Sequence, residues 1–255
     1  MPADEELEQL LKRRTRFARL VHTASCGSTQ TLAMEMLAEG SAGAGDAVFW
    51  ADHQTAGRGR QQRFWDDRPG LDLAATFRVS QRLPEPLALP AALPVAVVEA
   101  CEPFAGRRLR IKWPNDVFAD GQKVAGVLID RDSRDPDTYR IGVGVNVNRT
   151  GFPRDLDGRA TSLALLTGRE HDRARLLLAL AERVDAMLEA LSARRHEQLE
   201  EVFRDRLGLL GERVEVDAGQ PTSGRLTAID FERLELDGTR SVPLAIVRSL
   251  RAARR

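Results

Sequence analysis

The chain has 255 residues, 42% of them hydrophobic, which is enough to bury one large core and add a small second domain. Its 38 basic residues balance its 38 acidic residues, and this neutral charge argues against a protein that binds DNA through a basic surface. Apolar runs such as 87–98 are short and contain proline, the acidic N-terminus is no signal peptide, and two cysteines make no disulfide framework, so we expect a cytoplasmic protein without a membrane span.

Apolar periodicity predicts alternating helices and strands in the first half of the chain. Ser28 and Thr29 precede one of these helices, and one or the other is expected to be its N-cap. Hydroxyls at a helix N-terminus can also bind polar ligand atoms, so capping and ligand binding both stay open. The expected helices are 5–19, 30–39 and 87–104, and the expected strands are 20–23, 47–51 and 71–79.

A long polar loop is predicted over 52–70, and its centre alternates glycine with arginine. Glycine lets the backbone approach a ligand closely, and three arginines within six residues repel one another unless an anion such as phosphate binds among them. The aromatic residue at the end of the motif offers a flat face for a purine. A solvated basic loop is the competing interpretation. The residues concerned are Gly57, Arg58, Gly59, Arg60, Arg63 and Trp65.

Lysine and asparagine are rare in this chain and lie close together. Of the 38 basic residues only three are lysines, and two of these, Lys112 and Lys123, lie in the same segment as all three asparagines. An ammonium group and a neutral amide do chemistry that a guanidinium cannot, so the clustering predicts a polar small-molecule site, with chance as the alternative. The asparagines are Asn115, Asn146 and Asn148.

The segment 112–148 is predicted to supply central strands. A strand over 109–113 leads towards Asp116, the Asp-Gly pair at 120–121 predicts a hairpin, and 123–130 returns as its partner. That partner is apolar on both faces, so we expect it to be central, with Lys123 facing a cleft. In the strand predicted over 139–148, two glycines leave room either for close approach by a ligand or for plain sheet packing.

Beyond residue 160 the pattern is helical and then changes to period two, which predicts a small antiparallel β module. His196 lacks the second histidine of a metal-binding helix, so we expect a solvated face there. The expected helices are 161–166, 172–192 and 197–207, and the expected strands are 213–217, 224–230, 233–236 and 242–250.

Several common active-site motifs are absent from the sequence. There is no P-loop, complete dinucleotide fingerprint, nucleophile elbow or zinc-ligand spacing. What remains is a set of arginines, two lysines, amides and Asp116. This inventory suits charge stabilisation better than covalent catalysis.

Four motifs, in this order, closely resemble those of the biotin protein ligases. They are QTAGRGR at 54–60, KWPND at 112–116, KVAGVL at 123–128 and GVGVNVN at 142–148. The resemblance is strong over 21–148 and implies an α+β fold, in which helices flank a mixed β-sheet as in class II aminoacyl-tRNA synthetases. It further implies a catalytic domain over 1–210 and an SH3-like C-terminal β domain over 211–255.

The resemblance implies an ATP-dependent ligase. Such an enzyme forms biotinyl-5′-AMP from biotin and ATP, with Mg²⁺ as the metal, and transfers biotin to a lysine of a biotin carboxyl carrier protein of the acetyl-CoA carboxylase type. A homodimer is compatible with the family. Some members carry an N-terminal DNA-binding domain, and the roughly 20 residues before the core lead us to expect a ligase without repressor function and without DNA or membrane partners.

The resemblance also implies roles for individual residues, and it makes Asp116 a candidate ligand of the metal. The catalytic set would be Arg58, Arg60, Lys112, Asp116 and Lys123. Biotin would contact Ser28, Thr29, Gln30, Gln54, Gly57, Arg58, Gly59, Arg60, Lys123 and Gly126. ATP would contact Arg58, Arg60, Arg63, Trp65, Lys112, Asn115 and Asn146.

Two residues depart from the family pattern. Gln30 stands where the family usually has asparagine, which leaves the biotin contacts there open, and Gln62 stands where it usually has glycine, which predicts a stiffer loop. A lipoate protein ligase shares the fold and the adenylating chemistry but generally departs from the pattern at 57–60. A non-catalytic sensor of biotin or nucleotide is the competing interpretation from another functional class.

Overall fold

The computed structural model of the chain describes residues 2–38 and 45–253, and these residues form six α-helices and twelve β-strands. The helices are α1 Pro2–Arg14, α2 Thr29–Ala38, α3 Leu89–Ala105, α4 Leu163–Thr167, α5 Arg173–Ser192 and α6 Glu197–Leu207. The strands are β1 Arg19–Thr23, β2 Ala47–Ala51, β3 Leu73–Ser80, β4 Arg110–Lys112, β5 Asp116–Ala119, β6 Gln122–Arg131, β7 Thr138–Val145, β8 Arg213–Asp217, β9 Pro221–Ile229, β10 Arg233–Leu236, β11 Arg240–Pro243 and β12 Ser249–Ala252.

A seven-stranded mixed sheet forms the body of the molecule. Its strand order is β1-β2-β3-β7-β6-β5-β4; β1 runs parallel to β2, and the other neighbouring strands are antiparallel. Strand β6 lies between β7 and β5, which confirms the prediction that the strand containing Lys123 is an inner one. The mixed sheet flanked by helices also confirms the predicted fold class.

Alternation of side chains divides this sheet into two unlike faces. On β2, Val48 and Trp50 belong to the main core with α3 and α5, whereas Phe49 packs with Ala33 of α2 in a separate small cluster. Successive strand residues point to opposite faces, so α2 covers the face that α3 and α5 leave free. The face covered by α2 carries the candidate site.

Helix α3 is the apolar centre of the main core. Together with the short 3-10 turn that precedes it, the helix spans the 20 residues Pro86–Ala105. This stretch is long and apolar enough to cross a membrane, so our expectation that the apolar run here is too short to do so is wrong. Most of the stretch is buried, and the helix packs against α5, α6 and the sheet. Pro90 lies in the first turn of α3, where its missing N–H costs no helical hydrogen bond.

The C-terminal strands form a second, five-stranded sheet with the order β11-β10-β9-β8-β12, as expected of an SH3-like module. It contacts the body of the molecule through Trp113, whose indole Nε1 donates a hydrogen bond to the Val247 carbonyl at 2.8 Å. Phe203 of α6 packs edge-on between Trp113 and Phe231 of the module. The predicted boundary at 210/211 stays a prediction.

The bounds of several predicted elements differ from those in the structure. The strand expected over 242–250 is interrupted by a 3-10 turn at Leu244–Ile246, because the chain must pass from β11 at one edge of the small sheet to β12 at the other. The strand expected from 109 ends at Lys112, and a turn at 113–115 precedes β5. Helix α1 ends at Arg14, earlier than predicted, and residue 39, the predicted end of α2, lies outside the described residues.

A buried ion cluster joins the glycine- and arginine-rich loop to the sheet. The side chain of Arg149, after β7, is 1% exposed; its Nη1 donates to the Asp66 carbonyl at 3.0 Å, and its Nε lies 3.5 Å from Asp72 Oδ2. The Asp72 carboxylate also accepts hydrogen bonds from the backbone N–H groups of Arg68 at 2.9 Å and Val147 at 3.2 Å. These contacts therefore hold the C-terminal end of the loop beside the end of β7.

Burial raises the pKa of Asp72 to about 7, against the opposing effects of the Arg68 N–H and the Arg149 guanidinium. A carboxyl whose folded pKa exceeds its unfolded pKa stabilises the fold below the unfolded value, and this contribution is lost as the pH rises through about 7. Between pH 5 and pH 8 we expect the free energy of unfolding of the wild type to fall more steeply than that of Asp72→Asn.

Urea titrations at unit pH steps would measure both slopes. Asp120→Asn is the control for the loss of one carboxylate, because Asp120 is exposed and has a positive φ of 48° that asparagine tolerates. Equal slopes for the wild type and Asp72→Asn would contradict the assignment to Asp72.

Candidate active site

The N-terminus of α2 holds a chain of buried hydrogen bonds. Ser28 Oγ accepts a hydrogen bond from the Gln30 N–H at 3.3 Å, as an N-cap does, which confirms the capping expectation for Ser28. Both Thr29 N and Thr29 Oγ1 donate to Gln54 Oε1, at 2.9 and 3.2 Å. Thr76 Oγ1 of β3 in turn donates to Thr29 Oγ1 at 2.9 Å, so the sheet fixes the hydroxyl from below.

Gln54 is itself fixed by a buried carboxylate. Its backbone N–H donates to Asp67 Oδ2 at 2.9 Å, and His53 Nδ1 lies 3.2 Å from Asp67 Oδ1. Burial raises the pKa of Asp67, although the Gln54 N–H and His53 both act to lower it. Sequence reasoning missed Asp67 and Thr76; a hydroxyl inside the apolar strand β3 was a usable signal for Thr76, whereas nothing in the sequence singled out Asp67.

Glycines of β6 and β7 form the floor of the site. Gly126 and Gly144 are cross-strand partners, and a Cβ on Gly144 would lie 2.5 Å from Cε2 of the Trp65 ring. A Cβ on Gly126 would lie 3.2 Å from Cζ3 of the same ring. The absence of side chains therefore lets the Trp65 ring pack directly on the sheet, and close approach by a ligand stays a prediction.

The arginine-containing segment folds back on itself as a narrow hairpin. Gly59 N donates to Arg63 O at 2.8 Å, Trp65 N donates to Gly57 O at 2.9 Å, and residues Arg60–Gln62 form a 3-10 turn. A Cβ on Gly57 would lie 2.4 Å from the Trp65 carbonyl oxygen, so only glycine fits there. The Gln62 side chain lies outside the described residues, and the stiffer loop expected from it stays a prediction.

The hairpin borders a cavity of about 680 Å³, which is lined by Arg58, Arg60 and Arg63. Arg58 Nη1 lies 3.6 Å from Asp130 Oδ2, and the three arginines are all exposed. Arg60 also borders a second cavity of about 240 Å³, between Asn115 and the C-terminal module. Exposed guanidinium groups around an open cavity are available to bind an anion in pairs.

Lys123 and Asp116 meet beside the glycine floor. Lys123 Nζ lies 2.6 Å from Asp116 Oδ1 and 5.3 Å from the centre of a Trp65 ring, and its facing a cleft stays a prediction. Asp116 is the cross-strand neighbour of Gly126 on one side and of Lys112 on the other. Lys112 is exposed on the edge strand β4, with its Nζ 4.8 Å from the centre of the Phe118 ring.

The three asparagine side chains form hydrogen bonds with backbone groups. Asn146 Nδ2 donates to the Lys123 and Thr161 carbonyls at 3.3 and 3.0 Å, which helps to hold Lys123 in place. Asn115 Nδ2 donates to Val127 O at 3.1 Å, and Asn148 exchanges two hydrogen bonds with the His171 backbone. The asparagine cluster therefore builds the strands around the site, and the roles of Asn115 and Asn146 towards ATP stay predictions.

Most of the residues predicted for a site do lie together. Ser28, Thr29, Gln30 and Gln54 are buried on the α2 side. Trp65, Lys123 and Asp116 lie at the glycine floor, and the three arginines line the cavity of about 680 Å³. In the described part of the chain, no group of three or more His, Cys, Asp or Glu side chains could hold a metal ion. The candidate site therefore combines buried polar groups at the N-terminus of α2 with a cavity lined by three exposed arginines.

Comparison with known proteins gives a consistent answer. The family model described as the Biotin/lipoate A/B protein ligase family matches residues 24–148. The biotin--[acetyl-CoA-carboxylase] ligase of Mycobacterium tuberculosis is 34% identical over 258 residues, covering 94% of this chain and 92% of that protein. The bifunctional ligase/repressor BirA of Bacillus spizizenii is 37% identical over 181 residues, covering 68% of this chain and 54% of its own length, so the chain spans about half of that relative.

The fold agrees with solved structures. The biotin protein ligase from Aquifex aeolicus in complex with biotin and ATP superposes with a TM-score of 0.79 at 28% sequence identity, covering 93% of this chain and all of that one. Its apo structure superposes with a TM-score of 0.73 at 25% identity. On the sequence and structural likeness together, this chain belongs to the biotin protein ligase family.

Proposed function

We propose that this protein joins biotin to a carrier protein in two steps, with ATP as the energy source. In the first step a biotin carboxylate oxygen attacks the α-phosphorus of ATP, and pyrophosphate leaves. In the second step a lysine amine of the carrier attacks the acyl carbon, AMP leaves, and the amine loses a proton. The observation that carries the proposal is the cavity lined by Arg58, Arg60 and Arg63, in a loop whose first part also holds Gln54 in buried hydrogen bonds with Thr29.

The pocket has a polar end and a cationic end, which suits an acid with a polar ring. The ring end of biotin would lie towards the buried hydroxyl and amide groups, and its carboxylate towards the arginine hairpin and Lys123. Both steps gather negative charge on oxygen atoms, and fixed cations stabilise that charge at little reorganisation cost. The proposed biotin contacts are Ser28, Thr29, Gln30, Gln54, Gly57, Arg58, Gly59, Arg60, Lys123 and Gly126.

ATP would bind at the cationic end. The proposed contacts are Arg58, Arg60, Arg63, Trp65, Lys112, Asn115 and Asn146. The described residues offer no cluster that could hold a metal by itself, and Asp116 faces Lys123 at 2.6 Å. This fits Mg²⁺ that arrives with the phosphates and keeps most of its water, with Asp116 as at most one protein ligand.

The acceptor would be a biotin carboxyl carrier domain of the acetyl-CoA carboxylase type, because the M. tuberculosis relative is named for that substrate. We propose a cytoplasmic location for this protein and a role without repression or DNA binding. A homodimer is compatible with the family and belongs to the same proposal. The rival lipoate ligase is disfavoured because the arginine hairpin keeps its full Gly57–Arg60 pattern and because the matching Aquifex structure contains biotin and ATP.

The first prediction concerns the adenylation step alone. The purified protein should catalyse exchange of labelled pyrophosphate into ATP when biotin is present, and lipoate should support this exchange far less. A ligase predicts exchange, because formation of the adenylate is reversible, whereas a sensor that only binds its ligands predicts none. Folded protein that binds ATP and biotin without exchange would refute the enzymatic proposal.

Lys123→Arg should fail to adenylate normally although it conserves the charge. The Lys123 ammonium sits 2.6 Å from Asp116 Oδ1 and 5.3 Å from the centre of a Trp65 ring, and the larger planar guanidinium of arginine cannot occupy the position of this compact ammonium. We expect pyrophosphate exchange to fall by about 100-fold. Lys12→Arg is the matched control, since Lys12 lies on α1 and pairs with Glu8 at 3.7 Å; equal exchange by the two variants would contradict this prediction.

Asp116→Asn should separate two roles for the carboxylate. If Asp116 orients the incoming amine or accepts its proton, the variant transfers biotin slowly from preformed adenylate while pyrophosphate exchange is largely retained. We expect this result, because Lys123 already occupies the carboxylate and competes with a metal. Loss confined to the exchange reaction and reversed by high Mg²⁺ would assign Asp116 to the metal.

A further inference from the structure

Arg173 lies at the base of the loop that carries the arginine hairpin. It is the first residue of α5, and its side chain is half-buried. Its Nη2 lies 2.9 Å from Asp52 Oδ1, and its Nη1 donates a hydrogen bond to the Asp72 carbonyl at 3.2 Å. Asp52 follows β2 and Asp72 precedes β3, so one guanidinium contacts both ends of the loop 52–72.

The two ends of this loop are close together because β2 and β3 are antiparallel neighbours. Gly70 N donates to Asp52 O at 3.0 Å across the base of the loop. Asp52 N donates in turn to Thr23 O at 3.0 Å, which joins the start of the loop to the end of β1. Arg173 therefore adds a side-chain clamp to a closure made by backbone hydrogen bonds.

The start of α5 is a fixed support for this clamp. His171 N donates to Asn148 Oδ1 at 2.8 Å, and Asn148 Nδ2 donates to His171 O at 2.9 Å, so the segment before α5 is held against the residues that follow β7. The Asp172 side chain caps α5 by accepting hydrogen bonds from two backbone N–H groups of the first turn. The Arg173 guanidinium also lies 5.3 Å from the centre of a Trp50 ring of β2.

Helix stability does not explain a cation at the position of Arg173. The positive end of the helix dipole lies at the N-terminus, so a positive charge in the first turn is unfavourable for the helix. Arg173 directs its charge away from the helix, to Asp52. His22 Nε2 lies 3.4 Å from the same carboxylate oxygen, but the second contact of Arg173, to Asp72, reaches the other end of the loop.

We propose that Arg173 is a positioning residue of the active site, which keeps the loop 52–72 in the conformation that binds ligands. This inference rests on the proposed function and extends it to a residue outside the proposed ligand contacts. Gln54 lies two residues after Asp52, and the three hairpin arginines belong to the same loop, so the clamp acts on both groups of contacts. A loop that is competent for only part of the time lowers the apparent affinity by that fraction, whereas the rate of the bound complex is kept.

The first test removes the guanidinium. Arg173→Met should lower the affinity for biotin alone and for ATP alone, measured by calorimetry, each by about 10-fold, the effect of losing one charge-assisted hydrogen bond. The kcat of pyrophosphate exchange at saturating biotin and ATP should stay close to that of the wild type, because the bound ligands then hold the loop. Arg173→Lys should restore only part of the affinity, since one ammonium lacks the two separate NH₂ groups that reach Asp52 and Asp72.

Two further variants make this test specific. Arg183→Met is the matched control, because Arg183 is an exposed arginine of the same helix that pairs with Glu99 at 3.5 Å, and it should bind both ligands as the wild type does. Asp52→Asn should also weaken both ligands. The double variant of Arg173→Met and Asp52→Asn should bind no more weakly than the weaker of the two single variants, because both changes remove the same contact.

Hydrogen exchange measured by mass spectrometry without ligands tests the clamp directly. Peptides from 52–72 should exchange faster in Arg173→Met than in the wild type, because the Gly70 amide at the base of the loop becomes less protected. Peptides from α3 and from the C-terminal module should keep their exchange rates. Unchanged exchange over 52–72, or faster exchange throughout the chain, would overturn the clamp.

The binding data decide between positioning and direct contact. Affinity lost for one ligand only would assign Arg173 to that ligand, and a lower kcat at unchanged affinities would assign it to the chemical step; either result overturns the positioning role. A wild type without biotin-dependent exchange removes the proposed function instead, and hydrogen exchange of the ligand-free protein still decides whether Arg173 holds the loop.

Discussion

The candidate site depends on the alternation of side chains along β6 and β7. On β7, Ile141, Val143 and Val145 point into the main core, and the residues between them are glycines. Because successive strand residues face opposite sides, the same eight-residue strand Thr138–Val145 builds the core on one face and a bare floor on the other. The apolar face holds the strand in position, and the bare face lets Trp65 and the Gln30 amide reach the backbone.

A floor without side chains is useful only if polar groups are held above it. The buried groups around Thr29 are fixed from two directions, by Gln54 from the loop and by Thr76 from β3. Gln54 is fixed in turn by Asp67, from the far end of the same loop. The loop thus positions one end of the pocket through Gln54 and the other through its arginines, and the Arg149 cluster secures the chain as it leaves.

The arginines of the hairpin and the buried Arg149 differ in their surroundings. The arginines of the hairpin are exposed, where three like charges are screened by water, and an anion entering the cavity would gain paired hydrogen bonds from them. Arg149 is fully buried and has carboxylates beside it, because an unpaired buried guanidinium would be very costly. The same residue type therefore lines an open cavity in one place and holds buried structure together in the other.

Local sequence determined several features of this protein. The apolar pattern predicted that Lys123 lies on an inner strand, Ser28 was a predicted helix cap, and the alternating glycines and arginines predicted the loop. Each of these features depends on residues that are near neighbours in the chain. The division of the segment 242–250 by a turn could not be predicted, because β11 and β12 lie at opposite edges of a sheet that forms only in three dimensions. The asparagine cluster predicted a ligand site, whereas the amides of Asn146 and Asn148 hold backbone together. Only the tertiary structure decided which strand face carries the floor and which buried groups, such as Asp67, Thr76 and Arg149, support it, since those contacts join residues far apart in sequence.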